Sequence, residues 1–422
     1  MRAIKWWFHR SLAIKIAIMM VLGVIVGLVM GSKATALQPI GDLFIQLLKM
    51  LIVPLVFFTL AAGVISMDSP KSLAKVAGFI VPYYVMTSLF AAAFGLVLAL
   101  IIRPGIGVQG IFGSTTAATT VAAFSWKNAI LGWVPTNIIQ AMADANMMQV
   151  IFFALLVGVV LLILGKKVSV FNDFIKQGSD LFLRLTSMVM EVSPYGIFAL
   201  VAVLVGTISQ KMVVAVGKFV LVDYIACFCI LLIEYPILLR VLGRGRAPVL
   251  KVYRRFLPAI LVAATTTSSA ATLPTEIDIA SKKLGIPENI YGFCLPLGNT
   301  ANMDGMAVAL GLISVFALEI FGIAITPALI AEIIILGLFL SIGAAGVKGA
   351  GIVMSAVLFQ SLGLPMTLLP VLAAIWPIID IIHTTTNVTG DMTGTTAYAA
   401  RVNELHLDSD AGEATKETVS PA

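Results

Sequence analysis

The sequence predicts an all-α polytopic membrane protein, and three observations carry that prediction. Of its 422 residues, 60% are hydrophobic and 11% charged, and the mean hydropathy of +1.05 exceeds what a soluble domain tolerates. Apolar runs long enough to cross a bilayer, at about 20 residues per crossing, recur from one end to the other. Strands with barrel-like alternation are absent, and only helices and closed barrels satisfy their backbone in hydrocarbon.

The basic amino end, with Arg2, Lys5, Arg10 and Lys15, leads into an apolar run that continues to Gly31 without a small-residue cleavage pattern. It reads as a first spanning helix, with a removed signal peptide as the lesser alternative. Spans are expected over Leu12–Gly31, Leu43–Met67, Val76–Ile102, Met148–Leu164, Leu181–Ile208 and Val213–Leu242. With the amino end inside, the even-numbered spans return the chain to the cytoplasm at Lys71 and Lys75, at Lys166 and Lys167, and at Arg240 to Arg255, in keeping with the positive-inside rule. The net charge of +6 is thereby assigned to helix ends at lipid headgroups rather than to nucleic acid. The short loops suit a prokaryotic plasma membrane, with both termini cytoplasmic.

Residues 103–147, rich in Gly, Thr and Ala, suit short helical pieces at the surface. Cys227, Cys229 and Cys294 lie in apolar segments without metal-ligand spacing and read as packing residues. The polar, acidic tail from Leu407 to Ala422 has nothing to bury and is expected to be disordered.

The last 170 residues or so change character, because Gly, Ser, Thr, Asn and Asp interrupt the apolar stretches in pairs. The first pair is Thr265-Thr-Thr-Ser-Ser-Ala-Ala-Thr-Leu-Pro274, then a helix expected to break at Asn302-Met-Asp-Gly305. The second is Ser341-Ile-Gly-Ala-Ala-Gly-Val-Lys-Gly-Ala-Gly351, then a helix expected to break around Asn387-Val-Thr-Gly-Asp391. A hairpin that enters and leaves on one side, followed by a discontinuous helix and then repeated, is the sequence pattern of inverted-repeat transporters, with the binding site at the midplane.

Ionisable residues inside spans are costly and become functional candidates by default. Asp304 stands beside Asn302 and Gly305, and Asp391 beside Asn387 and Gly390, so each expected break offers hard oxygen ligands suited to sodium. The Ser268–Ser269 tip is either a seat for a substrate carboxylate at a helix amino end or a simple N-cap. Asp380, His383 and Thr384 share one helix face; Asp380 either receives an ammonium group or pairs with His383. Asp223 and Glu234, in the sixth span, are read as facing water or a partner subunit.

These stretches, with Leu295-Pro-Leu-Gly298, Trp133-Val-Pro-Thr-Asn137, Ser193-Pro-Tyr-Gly-Ile-Phe-Ala199 and Tyr83-Tyr-Val-Met-Thr-Ser88, resemble the glutamate transporter family, the dicarboxylate/amino acid:cation symporters, in order and over nearly the whole chain. The resemblance implies eight spanning helices plus two re-entrant hairpins, a homotrimer, and an elevator movement of each transport domain. It places residues 1–250 mainly in the scaffold, with 76–102 and about 181–208 contributing to or bordering the transport domain. The core of that domain is 251–405, and 406–422 is the tail.

By the same resemblance, one sodium ion is held by Asp391 with backbone near Gly298, Asn302 and Asn387. A second is held by Tyr84, Thr87, Ser88, Asn302 and Asp304, and a third by backbone around Thr300 and Met303 with Ser341, Ile342 and Ala344. Substrate is placed among Ser268, Ser269, Met306, Val347, Gly351, Asp380, His383, Thr384 and Asn387, its ammonium on Asp380 and its main carboxylate on the serine tip and Asn387. Members that carry aspartate or glutamate have an arginine where this chain has His383, and tend to have a hydroxyl where it has Met306. A neutral histidine does not replace a bidentate guanidinium, and Trp376 lies one turn before Asp380. The expectation is therefore a sodium-coupled symporter of a small or apolar neutral amino acid. An acidic amino acid bound by protonated His383 is the first alternative, and an anion channel or a substrate sensor the second. No Ser/His/Asp or Cys/His set and no phosphate-binding loop points to an enzyme.

Overall fold

The computed structural model describes residues 12–66, 74–109, 134–144, 146–207, 210–344 and 349–407, and within them the chain is helical with no strand. The helices are α1 (Leu12–Met30), α2 (Gln38–Ser66), α3 (Ala74–Ile102), α4 (Ile138–Ala143), α5 (Met147–Leu164), α6 (Ser169–Glu191), α7 (Ser193–Thr207) and α8 (Gln210–Cys229). They continue as α9 (Tyr235–Leu242), α10 (Val249–Thr266), α11 (Ser269–Asp278), α12 (Glu288–Ala301), α13 (Asp304–Phe321), α14 (Pro327–Gly343), α15 (Ala350–Ser361) and α16 (Leu369–Arg401). Among the described residues, six helical stretches are long and apolar enough to cross a membrane. The expected tail beyond Leu407 and most of the surface segment after Gln109 lie outside the described residues.

The helices sort into two packing groups. α1, α2, α5, α6 and α7 pack on one another, and many of their large apolar side chains, among them Leu28, Val29, Ile163 and Phe171, face outward. Outward apolar faces are stable only against lipid or another subunit. The second group, α3 and α8 to α16, encloses the densest core: nearly every residue of α13 and α15 is buried. The 210–242 stretch departs from the expected scaffold assignment, because α8 packs against α3, α13 and α16, and α9 against α16.

Local chemistry explains where helices stop. The expected span Leu181–Ile208 is two helices, α6 and α7, meeting at Val192. Pro194 supplies no N–H to carry the ladder across, and the charged residues of α6 (Asp173, Lys176, Asp180, Arg184) suit a helix with one wet face. Pro236 likewise gives nothing to the carbonyl four residues back, and the helix widens into a π turn over Ile230–Glu234. That extra residue per turn brings Tyr235 inward, where it is wholly buried.

Both hairpins form. α10 and α11 pack antiparallel around Thr267, which takes a left-handed conformation (φ 49°), and Ser268 caps α11. α14 and α15 flank the second tip, where Gly349 is left-handed (φ 75°) and residues 345–348 fall outside the described set. The first predicted break is present, since α12 ends at Ala301 and α13 begins at Asp304. The second is not: α16 runs unbroken for 33 residues through Asn387 and Asp391. Around the expected break at Asn387 to Asp391, four threonine hydroxyls bond back to carbonyls four residues earlier, Thr385 to Ile381, Thr386 to Ile382, Thr389 to Thr385 and Thr395 to Asp391, at 2.7–2.8 Å. Satisfied in this way, threonines remain compatible with a buried helix.

α3 and α13 approach closely through small residues. A Cβ on Gly311 would overlap the Ala92 carbonyl and one on Gly95 the Val308 carbonyl, the kind of contact that helices in lipid use in place of a hydrophobic driving force. Gly311→Val is expected to destabilise the protein by about 1–3 kcal/mol, seen as a lower thermal midpoint in detergent. Gly217→Ala, at a site with nothing within 4 Å, should leave the midpoint unchanged.

Candidate functional site

The site grows from the gap between α12 and α13. Asn302 (φ −107°, ψ 80°) and Met303 (φ −110°, ψ 58°) leave the helical region, so backbone groups lose their ladder partners at a depth where water cannot replace them. Side chains from α3 and α16 fill the gap. The Gly305 N–H donates to Asn387 Oδ1 at 2.8 Å, and Asn387 Nδ2 lies 3.1 Å from Met303 Sδ. Asn302 Nδ2 donates to Asp391 Oδ1 at 2.9 Å, while the Thr87 hydroxyl donates to Asn302 Oδ1 at 3.1 Å.

Asp304 opens α13, where a carboxylate favours the helix dipole. It accepts from Ser88 at 2.7 Å and from Tyr235 at 2.8 Å. Tyr83 donates to the Gly390 carbonyl at 3.2 Å, beside Asp391. Asn302, Asp304 and Asp391 are wholly buried, and among the described residues no lysine or arginine pairs with either carboxylate. A buried carboxylate is stable only with a compensating charge or proton.

The structure therefore brings together Thr87, Ser88, Asn302, Met303, Asp304, Asn387 and Asp391. Gly298 and Tyr84 join them, because a Cβ at Gly298 would stand 2.5 Å from Tyr84 Oη and 2.6 Å from Asp391 Oδ1. Tyr84 itself donates to the Cys294 carbonyl at 2.9 Å. Thr300 and Ile342 line one cavity of about 460 Å³ with Leu297 and Thr59, so the second hairpin does meet α12. Ser341 is buried and bonded to Leu338 O, and Ala344 N bonds Ser341 O. The geometry differs from the expectation in one respect: only the α12–α13 break frees backbone carbonyls, and α16 contributes side chains from an intact helix.

The proposed substrate residues are distributed more widely. Asp380 is half-buried and lines a cavity of about 360 Å³ with Thr265, Thr267, Gly349, Ile352 and Trp376, closed on its other side by Ile14, Ala17 and Met20 of α1. Ser268 accepts from Ala271 N at 3.3 Å as the N-cap of α11, and Ser269 is buried behind it. Gly351 packs directly on the Trp376 ring, with no room for a Cβ. Met306 and Thr384 are buried, and Val347 lies outside the described residues.

His383 does not pair with Asp380. Its Nε2 lies 2.8 and 2.9 Å from the two oxygens of Asp223 on α8, with both side chains buried. Asp223 thus faces the core rather than water or a partner, and Glu234 is half-buried. The reason is the position of α8 against α16, which no spacing within α16 reveals. His383 Nδ1 has no hydrogen-bond partner, and the Trp376 ring stands 5.7 Å away.

Three functional candidates escaped the sequence reading: Asp223 as the partner of His383, Tyr235 as a donor to Asp304, and Glu276, buried on α11 with no hydrogen bond to either carboxylate oxygen. The signal available for Asp223 and Glu276 was the rule that an ionisable residue inside an apolar segment marks function. Tyr235 carries no such signal, because its orientation depends on the π turn.

The sequence pattern of the sodium:dicarboxylate symporter family matches residues 12–401. A C4-dicarboxylate transport protein of Pseudomonas syringae pv. syringae is 28% identical over 408 residues, covering 95% of this chain and 90% of that protein. One from Pseudomonas fluorescens (strain Pf0-1) is 29% identical, covering 95% and 91%. C4-dicarboxylate transport protein 2 of Pseudomonas aeruginosa is 29% identical over 409 residues, covering 94% and 92%.

The crowding at Gly298 makes a direct test. Gly298→Ala should raise the sodium concentration needed for half-maximal thermal stabilisation by tenfold or more, about 1.4 kcal/mol. Gly292→Ala, whose added methyl would meet only Glu288 Cγ at 3.7 Å, should not.

Proposed function

The chain belongs to the sodium:dicarboxylate symporter family, and we propose that it couples inward sodium movement to uptake of an acidic amino acid of the aspartate type. The observation that carries the coupling is the buried cluster at the α12–α13 gap, where Asp304 and Asp391 meet Asn302, Asn387, Thr87 and Ser88 without a basic residue. Hard oxygen donors around uncompensated carboxylates suit sodium, and a sensor or channel has no need of them. Sodium is cargo here, driving the cycle by its own gradient.

For the substrate, the relatives named as C4-dicarboxylate transport proteins support a solute with two carboxylates, and move the reading from the neutral amino acid to the acidic alternative. Aspartate is a four-carbon dicarboxylate that also bears an ammonium group, for which Asp380 provides a counter-charge at the cavity it lines. The amino end of α11 and Asn387 would take the main carboxylate. A protonated His383, donating through Nε2 to Asp223, keeps Nδ1–H for the second carboxylate. A neutral substrate is the second reading, favoured by one observation: Asp223 lies 2.8 Å from His383 Nε2, where it would balance any charge on the imidazole and leave the pocket without net positive charge.

The finer architecture belongs to the same proposal: eight spanning helices, α10–α11 and α14–α15 as re-entrant hairpins, three subunits in a plasma membrane with cytoplasmic termini, and an elevator movement of the second packing group past the first. The outward apolar faces of the first group support it.

The deciding experiment is uptake into proteoliposomes under an inward sodium gradient. Labelled aspartate should accumulate, with succinate, alanine and serine weaker; preference for the neutral pair would return the reading to a neutral amino acid, and preference for succinate would remove the ammonium assignment. Asp380→Ala should abolish aspartate binding while sodium still stabilises the protein; unchanged substrate affinity would sink the role of Asp380. His383→Gln should lower aspartate uptake at least tenfold and spare alanine.

A further inference from the structure

We propose that Glu276 of the first hairpin and the free oxygen of Asp391 together hold an additional sodium ion, between α11 and α16. The inference rests on the symport reading but names a ligand and an ion that the reading does not contain. On α11, Ser269, Thr272 and Glu276 are the buried residues, at spacings of three and four that place them on one helical face. The face that begins at the hairpin tip thus ends, two turns deeper, in a carboxylate turned into the core.

That carboxylate has no protein partner. Glu276 is wholly buried and neither Oε1 nor Oε2 receives a hydrogen bond. α11 packs against both α12 and α16, and the carboxylate of Glu276 is one of the charges that bear on Asp391 of α16. Asp391 spends Oδ1 on Asn302, at 2.9 Å, and its Oδ2 is also buried and unpartnered. Three acidic oxygens on two packed helices are therefore buried with nothing donated to them. Two ionised carboxylates in such a place disfavour each other as well as their own burial, and a cation between them removes both penalties. One monovalent ion on Asp391 at the α12–α13 gap would still leave Glu276 uncompensated, so the charge balance calls for one ion more. Held by both helices, that ion also ties the first hairpin to α16.

The test uses the full-length protein purified in detergent, with sodium chloride titrated against choline chloride and no substrate present. The thermal midpoint of the wild type should rise with sodium. In Glu276→Gln the half-maximal concentration should increase tenfold or more and the logarithmic slope should fall by about one ion, while the midpoint in choline stays at or above that of the wild type. Glu276→Asp, which keeps the charge and so guards against misfolding of the amide variant, should retain the slope with weaker affinity. Wild-type slope and affinity in Glu276→Gln would overturn the proposal and leave Glu276 as a neutral, protonated acid. Stabilisation of the wild type by calcium chloride at lower concentrations than sodium would also overturn it, since the ion would not be monovalent. No salt dependence in the wild type would take the symport reading down with it.

Discussion

Carboxylates buried without basic partners are the constraint on which the core of this protein depends. Asp304, Asp391 and Glu276 are wholly inside the fold, in a chain whose outer surface is apolar enough for lipid. Each costs several kcal/mol as an uncompensated charge, so the surrounding helices are arranged to donate to them or to leave room for a cation. Ser88 from α3, Tyr235 from α9 and Asn302 from the α12–α13 gap are those donors. Most of the remaining architecture can be read as support for that arrangement: α3 laid against α13 through Gly95 and Gly311, and a π turn that brings Tyr235 inward.

The gap and the intact helix beside it serve different ends. At Asn302 and Met303 the backbone is freed, and free carbonyls in hydrocarbon are tolerated only where they line a polar site. α16 does the opposite. It keeps its ladder and its threonines bond inward to their own carbonyls, so Asn387 and Asp391 project from a rigid rod into the gap of the other helix. A break in both would leave neither to position the other. Rigid support of this kind is what a cation site needs to hold its ligand geometry.

The His383–Asp223 pair is a second buried polar device, held between α8 and α16. It keeps an imidazole beside Trp376 and sets which nitrogen is committed and which is open. A carboxylate that orients a histidine in this way also balances its charge.

Much was legible in the sequence because lipid makes few solutions available. Hydropathy alone dictates helices, and polar residues at membrane depth stand out, so the gap at Asn302 and the buried polar residues Asp304, Asn387 and Asp391 were visible as patterns, while Thr87 and Ser88 came from the family resemblance. What spacing could not decide was which polar run breaks its helix: Asn387 to Asp391 looks as disruptive as Asn302 to Gly305, but the threonines around it satisfy their own helix whereas Asn302 and Met303 leave theirs. Nor could it decide partners across helices. His383 shares a face with Asp380 by periodicity, yet bonds Asp223, 160 residues earlier, because α8 packs on α16; likewise α11, which carries Glu276, packs on α16, which carries Asp391. Local pattern sets the elements and their polar faces, while contacts between elements distant in the chain exist only once the helices are packed.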